Sequence, residues 1–408
     1  MSSIDRRTFL RLSGIGLCGL TACVGAEHRG TRPITVGASL NLTGPFHEEG
    51  ERQGYGYALW AVEVNAAGGL LGRPIRLMVY DDGYEADQAA DNYRRLLTQD
   101  RADLLLGPMG SIPTQGAVRV VEEAGVPCIM PMASNPRLWA SGRRWALQLL
   151  PPAPTFMHAT ADLLHAAGVR RLAIQHGSAL IDQDVARGMR ARAEALGLTV
   201  LLFEGYAYGP QEWERQAEFI RRGVRAGAEA FANVRRTAEV DRAVELHRRA
   251  APASLLHTWM EIDESEWFEL PTAERQGMVG SGFWIPEIPY PGVRSFVEAF
   301  RRHFRGRFSA EGLTHALDHH PPAGYAAARL TQEAVEAVQG LHYDRIRDYL
   351  FALHTTTLFG PYRVGGNGAQ VANRAVALQW QGESRAVVWP GSLRTAALRR
   401  PAKSSDVP

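Results

Sequence analysis

The chain has 408 residues, of which 45% are hydrophobic, and its formal net charge at pH 7 is +2. A chain of this length can bury large cores and is expected to form two domains. Its nearly balanced charge argues against a nucleic-acid partner and against a polybasic membrane patch, because both need clustered positive charge.

The first 23 residues predict an export signal. The pair Arg6-Arg7, with Phe9 close behind, is typical of a twin-arginine signal. The apolar run 12–22 is shorter than the roughly 20 residues that a membrane span needs, so a cleavable signal is favoured. The run ends in Leu-Thr-Ala before Cys23, which resembles the lipobox of bacterial lipoproteins. That class carries its lipid on this cysteine; a plain cleaved signal is the alternative.

Loss of the signal would leave 42 basic and 42 acidic side chains. Cys18 lies inside the signal and Cys23 is the lipidation candidate, so Cys128 would have no disulfide partner unless Cys23 stays free. The segment VPCIM at 126–130 predicts a buried strand. Cys128 is therefore interpreted as a structural thiol.

Behind a tether at 24–32, the hydrophobic pattern alternates between strands and helices. Continuous apolar strands that alternate with amphipathic helices indicate parallel sheets covered on both faces. In a first series, strands are predicted at 34–40, 75–80, 103–106 and 126–130, and helices at 53–67, 85–98 and 113–124.

A second alternating series begins after the proline-rich stretch 150–154. A hairpin is predicted over 375–389, and the tail 393–408 is predicted to be disordered. The second series has predicted strands at 171–175, 199–203, 228–234, 254–258 and 277–284, and helices at 182–196, 212–225, 239–249, 292–304 and 323–338.

An ordered set of short segments resembles the branched-chain amino acid-binding (Leu/Ile/Val-binding) proteins of ABC importers. The resemblance covers roughly 33–392 and implies a type I periplasmic-binding fold, an α/β architecture. Two doubly wound parallel-sheet lobes are joined by a three-strand hinge and close on a ligand between them. The segments are LNLTGP at 40–45, VNAAGGLLGRP at 64–74, DD at 81–82, LGPMGS at 106–111 and PMASNP at 131–136.

The resemblance also implies where the lobes begin and end. Crossovers are expected near 150–154, 280–284 and 359–362. Behind the signal 1–23, lobe 1 is expected to combine 33–150 with 285–358, and lobe 2 to combine 151–284 with 359–392.

Two serines are candidates for holding a ligand carboxylate. Ser111 and Ser134 each follow a predicted strand, and Ser111 also precedes a helix. In open α/β sheets, ligands bind beyond the carboxyl ends of strands, where the free N–H groups of helix N-termini attract anions. The resemblance implies that both serines hold the α-carboxylate of an amino acid, and that backbone groups at Met132 and Ala133 help to hold the amine. Both serines are otherwise ordinary N-caps.

In lobe 2, the resemblance implies that Glu261 pairs with the ligand ammonium group. Asp263 and Glu264 are near enough in sequence to take that role, and Trp259 is a second candidate for lining the pocket. A solvated acidic loop is the alternative.

Three further positions depart from the pattern of the family. Where the family places aromatic rings against the ligand side chain, this chain has Ile181 at the first position and Arg235 or Arg236 at the second. Glu49 lies near a pocket position as well. Because an Arg here would pair with an anionic group, we expect a ligand more polar than leucine, either a polar amino acid or a related amide or carboxylate.

The resemblance implies an extracytoplasmic substrate-binding protein, anchored by a lipid on Cys23, that delivers its ligand to an ABC permease and ATPase complex. An exported sensor of the same fold is the alternative. No catalytic motif is found, so neither enzymatic activity nor a cofactor is predicted. His315 and His319 have the i, i+4 spacing of zinc ligands, but Pro321 and Pro322 favour a loop there, and no metal site is predicted.

Overall fold

The structure is a computed structural model that describes residues 32–236, 240–252 and 255–400. The predicted export signal, Cys23 and most of the tether lie outside these residues. Among the helices described, none is both long enough and apolar enough to cross a membrane.

Strands and helices alternate along the chain as the hydrophobic pattern predicts. Four helices, 158–166, 272–275, 310–315 and 343–352, and three short strands, 146–148, 355–357 and 360–362, were not predicted. The strands are β1 (Ile34–Leu40), β2 (Ile75–Asp81), β3 (Leu104–Leu106), β4 (Cys128–Met130), β5 (Ala146–Gln148), β6 (Arg171–Gly177), β7 (Thr199–Tyr206), β8 (Ala230–Val234), β9 (Leu256–Trp259), β10 (Val279–Gly282), β11 (Thr355–Thr357), β12 (Gly360–Tyr362), β13 (Val376–Gln381) and β14 (Ser384–Trp389). The helices are α1 (His47–Ala66), α2 (Ala86–Thr98), α3 (Ser111–Ala124), α4 (His158–Ala166), α5 (Leu180–Ala195), α6 (Trp213–Arg225), α7 (Val240–Ala250), α8 (Thr272–Arg275), α9 (Val293–Phe304), α10 (Ala310–His315), α11 (His320–Val338) and α12 (Tyr343–Ala352).

The chain divides into two compact units. Unit 1 combines the described residues up to Leu150 with 298–307 and 320–373. Its parallel strands have the order β2-β1-β3, and β4 and β5 form a second parallel pair. All seven residues of β1 are buried, as expected for a central strand of a parallel sheet.

The core of unit 1 is built from the apolar faces of helices packed on these strands. In α2, the buried residues Ala89, Tyr93 and Leu96 recur at helical spacing, which is why this segment is an amphipathic helix. Tyr93 and Leu96 belong to one core cluster with Leu105 of β3 and Cys128 of β4. The prediction of a buried, structural Cys128 is confirmed, and burial raises the pKa of its thiol.

Unit 2 combines 151–297, 308–319 and the described residues from Arg374 onward. It contains a seven-stranded sheet of order β14-β13-β10-β9-β8-β6-β7. The five strands from β10 to β7 run parallel, whereas β13 and β14 form the predicted hairpin and pair antiparallel at one side.

The units differ from the predicted lobes in three stretches. Residues 285–297 and 308–319 belong to unit 2, and 359–373 belong to unit 1. Side-chain contacts agree with two of these assignments, those of 285–297 and 359–373. The ring of Phe296 packs edge-on against Trp284, and Gln370 donates to the carbonyl oxygen of Leu149 at 3.1 Å.

The predicted disorder of the tail 393–408 is wrong as far as residue 400. The side-chain amide of Gln379 donates to the carbonyl oxygen of Arg399 at 2.7 Å and accepts from its N–H at 2.8 Å. Thr395 donates its N–H to Val387 at 2.9 Å. These bonds hold the segment beside the hairpin although it has no regular secondary structure. Residues 401–408 lie outside the described chain.

Candidate ligand-binding site

The predicted carboxylate-binding residues of unit 1 lie at the carboxyl ends of its parallel strands. Ser111 is the first residue of α3, five residues beyond the end of β3. Met132, Ala133 and Ser134 follow β4, and all three are buried. Because β3 and β4 end at the same edge, the fold brings these two segments together, as expected for strand ends in a parallel sheet.

The Ser111 hydroxyl holds the turn after β4. Its oxygen accepts the backbone N–H groups of Ser134 and Asn135, both at 3.2 Å. A serine oxygen has two acceptor sites and one O–H donor. Since both acceptor sites are used, the remaining capacity of this hydroxyl is as a donor.

Neither serine is an N-cap, so that alternative is wrong. Gly110 occupies the N-cap position of α3 and Asn135 caps the short 3-10 turn that follows Ser134. Among the described residues, the Ser134 hydroxyl has no hydrogen-bond partner within the protein. The first turn of α3 therefore lies next to two serine hydroxyls that can donate to an anion.

The carbonyl of Ala133 is held from inside unit 1. The side-chain N–H of Gln148 donates to this carbonyl at 2.8 Å. Its side-chain oxygen accepts the backbone N–H of Gln370 at 3.1 Å. These bonds fix the backbone at 132–134. Backbone groups of Met132 and Ala133 in this segment are predicted to help hold the ligand amine.

Two aromatic residues beside Ser111 were missed by the sequence analysis. The rings of Phe46 and Tyr84 pack edge to face with centroids 4.8 Å apart, and both residues have positive φ. A Cβ on Gly110 would lie 2.6 Å from the ring of Tyr84, so this position requires glycine. Both residues lie in short loops between a strand and a helix, which was the only indication of them in the sequence. Nothing in these loops indicated that the two rings make contact.

Asp81 and Asp82 order the loop that carries Tyr84. Asp82 accepts from Ser39 at 2.8 Å and from the N–H of Tyr84 at 3.0 Å, and Asp81 accepts the N–H of Leu42 at 2.9 Å. The pair thus orders the loop through hydrogen bonds to its backbone and to Ser39. Glu49 lies half-buried in the first turn of α1, after the end of β1.

At the carboxyl edge of unit 2, Ile181 is half-buried in the first turn of α5, beside Leu180, which is 63% exposed. The next residue, Asp182, is buried and accepts from the Tyr208 hydroxyl at 2.5 Å. Tyr208 is therefore a third aromatic residue near a predicted site position that the sequence did not indicate.

The two arginines after β8 have different surroundings. Arg235 is buried, lies 4.8 Å from the centroid of the Tyr208 ring and donates to Gln216 at 3.3 Å. Arg236 is half-buried, and its charge acts on the carboxyls of both Asp182 and Glu261. Arg235 is thus held by side chains of its own unit, whereas Arg236 lies among the acidic groups of the predicted site.

Trp259 packs inside unit 2. Its ring contacts those of His247 and Trp267 edge-on, with centroids 5.0 and 5.6 Å away. The residue is buried at the end of β9 and so belongs to the core of the unit.

Glu261 lies two residues beyond β9 with φ 53°, and its N–H donates to the Ser281 hydroxyl at 3.1 Å. Its side chain is 8% exposed, and burial raises the pKa of its carboxyl to about 7 against the opposing charges of Arg236 and His319. Since Asp263 and Glu264 are buried too, the alternative of a solvated acidic loop is wrong.

Asp263 is engaged by the backbone and so differs from Glu261. Its carboxylate accepts the N–H groups of Phe283 and Trp284 at 2.6 and 3.2 Å, and its second neighbour is His319. Burial favours the neutral acid, but the charge and hydrogen bonding of His319, the N–H of Phe283 and the charge of Arg385 together outweigh burial and lower the pKa of Asp263.

The structure separates the two histidines that have the spacing of zinc ligands. His315 stacks on Phe268 with ring centroids 4.8 Å apart. The ring nitrogens of His319 lie 3.2 Å from Asp263 and 3.6 Å from Glu264. Imidazole and carboxylate are ligand types that zinc accepts. His319 therefore belongs to a buried cluster with two carboxyl groups, whereas His315 packs on an aromatic ring.

The chain matches the profile of the family described as periplasmic binding protein over residues 33–385. An amino acid binding protein from Pseudomonas aeruginosa is 27% identical over 209 residues, or 51% of this chain and 56% of that protein. The Leu/Ile/Val-binding protein homolog 8 from Brucella abortus is 23% identical over 389 residues, which cover 90% of this chain and 93% of that protein.

Solved structures have the same fold. A substrate-binding protein of an ABC transporter from Desulfitobacterium hafniense, in complex with Leu, has a TM-score of 0.72 and 19% identity, covering 87% of this chain and 100% of that chain. A solute binding protein from R. palustris, in complex with benzoate, has a TM-score of 0.70 and 16% identity, covering 90% and 98%. Family members are non-enzymatic binding components of transporters, and the family implies an extracytoplasmic location. This chain belongs to the periplasmic binding protein family.

Proposed function

We propose that this protein is the substrate-binding component of an ABC importer, that it binds an amino acid or a related small amide or carboxylate, and that it delivers this ligand to a membrane permease. The observation that carries the proposal is the bonding of Ser111. Its hydroxyl uses both acceptor sites on the turn at Ser134 and keeps its O–H as a donor at the start of a helix.

The carboxylate of the ligand is assigned to unit 1. The donors are the hydroxyls of Ser111 and Ser134 and the backbone N–H groups at the start of α3, which is 14 residues long. The positive end of the helix dipole favours an anion at this point. Removing such a donor from a bound carboxylate costs about 1.5–3 kcal/mol, because the partner is charged.

The ammonium group of the ligand is assigned to Glu261 in unit 2. This carboxyl is desolvated, and burial raises its pKa to about 7. A ligand cation restores the stabilisation that burial removes, because an opposite charge nearby favours the ionised form. Glu261 is favoured over Asp263, whose carboxylate already accepts two backbone N–H groups.

Recognition of the polar group on the ligand side chain is assigned to Arg236. It lies near Asp182 and Glu261 and is more exposed than Arg235. A guanidinium binds carboxylate and amide oxygens through paired N–H groups. We therefore expect a polar amino acid or its amide to bind more tightly than leucine.

The proposed delivery to a permease is supported by the family and by the predicted export signal. The relatives include an amino acid binding protein and a Leu/Ile/Val-binding protein homolog. A lipid on Cys23 would keep the receptor at the membrane and raise its local concentration near the permease. Labelling with radioactive palmitate in wild type and Cys23→Ala tests the anchor.

The ligand assignment is tested by thermal unfolding of the mature protein with a panel of amino acids, amides and small carboxylates. A true ligand at 100 times its dissociation constant stabilises the protein by about 2.7 kcal/mol. Uptake of that ligand should stop in cells that lack the protein and return with the wild-type gene. A stable protein that no member of the panel stabilises would contradict the proposed ligand class.

A carboxylate that has no ammonium group is the second candidate for the ligand. The benzoate complex of the R. palustris protein shows that this fold holds such a ligand in one relative of similar structure. In this chain Arg236 can neutralise Glu261, which would favour an uncharged end on the ligand. The variant Glu261→Gln separates the candidates: it should abolish amino acid binding and leave binding of a simple carboxylate unchanged.

A further inference from the structure

We propose that Arg301, Arg302 and Arg305 form a basic patch on unit 1 that binds the anionic headgroups of membrane phospholipids. This interaction would add to the predicted lipid on Cys23 and hold unit 1 against the membrane. The inference rests on the proposed location of the protein at a membrane and is independent of the ligand.

The three guanidinium groups lie on one side of a helix end. Arg301 and Arg302 belong to the last turn of α9, and Arg305 directly follows the helix. Arg305 is four residues beyond the first arginine and three beyond the second, and residues at these spacings are neighbours on a helix surface. All three residues are exposed and belong to unit 1. The end of α9 therefore presents a compact surface of positive charge to the solvent.

The opposite side of α9 is anchored in the core of unit 1. Phe300 and Phe304 are buried, and their ring centroids lie 4.7 Å apart. The ring of Phe304 also packs against that of Tyr55 in α1, with centroids 5.1 Å apart. Because aromatic packing fixes this side of the helix, the arginines of the basic patch are held facing the solvent.

The charge of the basic patch is not neutralised by ion pairs. Among the described residues, no carboxylate forms a salt bridge with any of its three arginines. Three arginines of α6 differ in this respect, because each lies within 3 Å of a glutamate carboxylate: Arg215, Arg221 and Arg225. The net charge of the whole chain does not reveal the basic patch, so the sequence-based argument against a polybasic membrane patch does not extend to this local cluster.

The basic patch lies near the end of unit 1 at which the predicted tether enters. The tether ends just before β1, whose first residue, Ile34, pairs with Ile75 of β2. The side chain of Asn65, near the end of α1, accepts the N–H of Ile75 at 2.7 Å. Glu63, two residues earlier, is close enough for its charge to act on His303, which lies within the segment of the patch. The nine residues 24–32 span at most about 30 Å, so an anchor on Cys23 keeps the patch within reach of the same membrane.

Phospholipid headgroups have the chemistry that this surface fits. Arginine binds phosphate oxygens through paired N–H groups. Each arginine near an anionic membrane strengthens binding about fivefold, so three should contribute about 100-fold. Cations in the last turn of a helix also interact favourably with the helix dipole. That role alone would affect stability and not lipid binding, so an experiment can separate the two.

The test is cosedimentation with vesicles, using the mature chain with Cys23→Ala so that no lipid anchor contributes. This parent protein should bind vesicles that contain about 30% phosphatidylglycerol about 100-fold more tightly than vesicles of phosphatidylcholine alone. Salt at about 0.5 M should abolish the difference by screening the charges. The patch variant, with Arg301→Gln, Arg302→Gln and Arg305→Gln, should bind both kinds of vesicle alike.

The matched control carries Arg215→Gln, Arg221→Gln and Arg225→Gln on α6. It loses the same amount of charge, but from arginines that are already paired, and should bind vesicles as the parent protein does. If the patch variant does not fold, Arg302→Gln alone should weaken binding to phosphatidylglycerol vesicles about fivefold. Thermal unfolding of each variant measures any loss of stability at the helix end.

The inference is overturned if the parent protein binds both kinds of vesicle equally at about 50 mM salt, where screening is weak. It is also overturned if the patch variant folds and binds phosphatidylglycerol as tightly as the parent protein. In that case a loss of stability would assign the arginines to the helix dipole, and a loss of solute uptake would assign them to an acidic protein partner. If palmitate labelling finds no lipid on Cys23, the proposed anchor fails, whereas vesicle binding still decides the role of the basic patch.

Discussion

The hydroxyl oxygen of Ser111 accepts the backbone N–H of Ser134 at 3.2 Å, so the first residue of α3 and the turn after β4 are joined. The same oxygen accepts the N–H of Asn135. Ser111 thus organises the neighbouring turn in addition to offering a donor. Its loss should disturb every group that the proposed site assigns to the carboxylate.

We predict that Ser111→Ala lowers ligand affinity by about 10- to 100-fold, because one donor to the carboxylate is lost and the Ser134 turn is released. Two backbone N–H groups would lose their acceptor, so the free energy of unfolding should also fall by about 1 kcal/mol. Calorimetry gives the affinity and denaturant unfolding gives the stability.

Ser309→Ala is the matched control for this change. Ser309 also accepts a backbone N–H through its hydroxyl, from Gly312 at 3.0 Å, where it caps α10 in unit 2. Its loss should reduce stability by a similar amount and leave affinity unchanged. Equal affinities for Ser111→Ala and Ser309→Ala would contradict the role given to Ser111.

Much of the fold, and part of the site, follows from local patterns in the sequence. Apolar strands and amphipathic helices placed most of the elements, and the turn after each strand located Ser111 and Ser134. The partners of Asp182 and Asp263 could not be obtained in this way. Tyr208 lies 26 residues from Asp182, and His319 lies 56 residues from Asp263, so only the three-dimensional arrangement brings these groups together.

Substitutions of the two arginines after β8 should have different effects, one on ligand preference and the other on stability. We predict that Arg236→Gln weakens binding of ligands with a second carboxylate or amide at least about tenfold relative to leucine, because a charge-assisted bond is lost. Arg235→Gln should lower the free energy of unfolding by about 1–3 kcal/mol, since it breaks a buried contact with Tyr208 and Gln216. It should not change the order of ligand preference.

A competition assay with leucine, aspartate and asparagine, run beside thermal unfolding, measures both effects. If leucine binds most tightly and neither arginine variant changes the order, the expectation of a polar ligand is wrong.

A buried histidine pair should make unit 2 sensitive to acid. His247 lies 2.8 Å from Gln175 through one ring nitrogen and 2.8 Å from His257 through the other. Burial lowers the pKa of both rings, to about 4 for His257. The unfolded chain therefore binds more protons at mildly acid pH, and stability falls as the pH drops from about 6.5 towards 4.

We expect the melting temperature to fall by about 5–10 °C over this range in the wild type. The fall should be smaller in His257→Gln, which keeps a hydrogen-bonding group beside His247 and removes one titrating ring. His354→Gln, at an exposed position, is the control and should follow the wild type. A fall in His257→Gln as steep as in the wild type would show that other groups govern acid stability.

Gly110 links the aromatic pair of unit 1 to the start of α3. Its φ is 85°, and an added Cβ would lie 2.6 Å from the ring of Tyr84. Gly110→Ala should therefore push this ring or the start of α3 out of place, lowering ligand affinity at least about tenfold and stability by about 1–3 kcal/mol. Gly168 also has φ 85°, but nothing lies within 4 Å of its Cβ position.

Gly168→Ala consequently measures the backbone strain alone, without the contact. If the clash with Tyr84 causes the loss of affinity, affinity should fall in Gly110→Ala but not in Gly168→Ala. In that case, adding Tyr84→Ala to Gly110→Ala should recover stability. Equal losses of stability in the two glycine variants, with affinity intact in both, would mean that the ring contact is unimportant for the site. A loss confined to Gly110→Ala would tie Tyr84 to the donors that Ser111 organises.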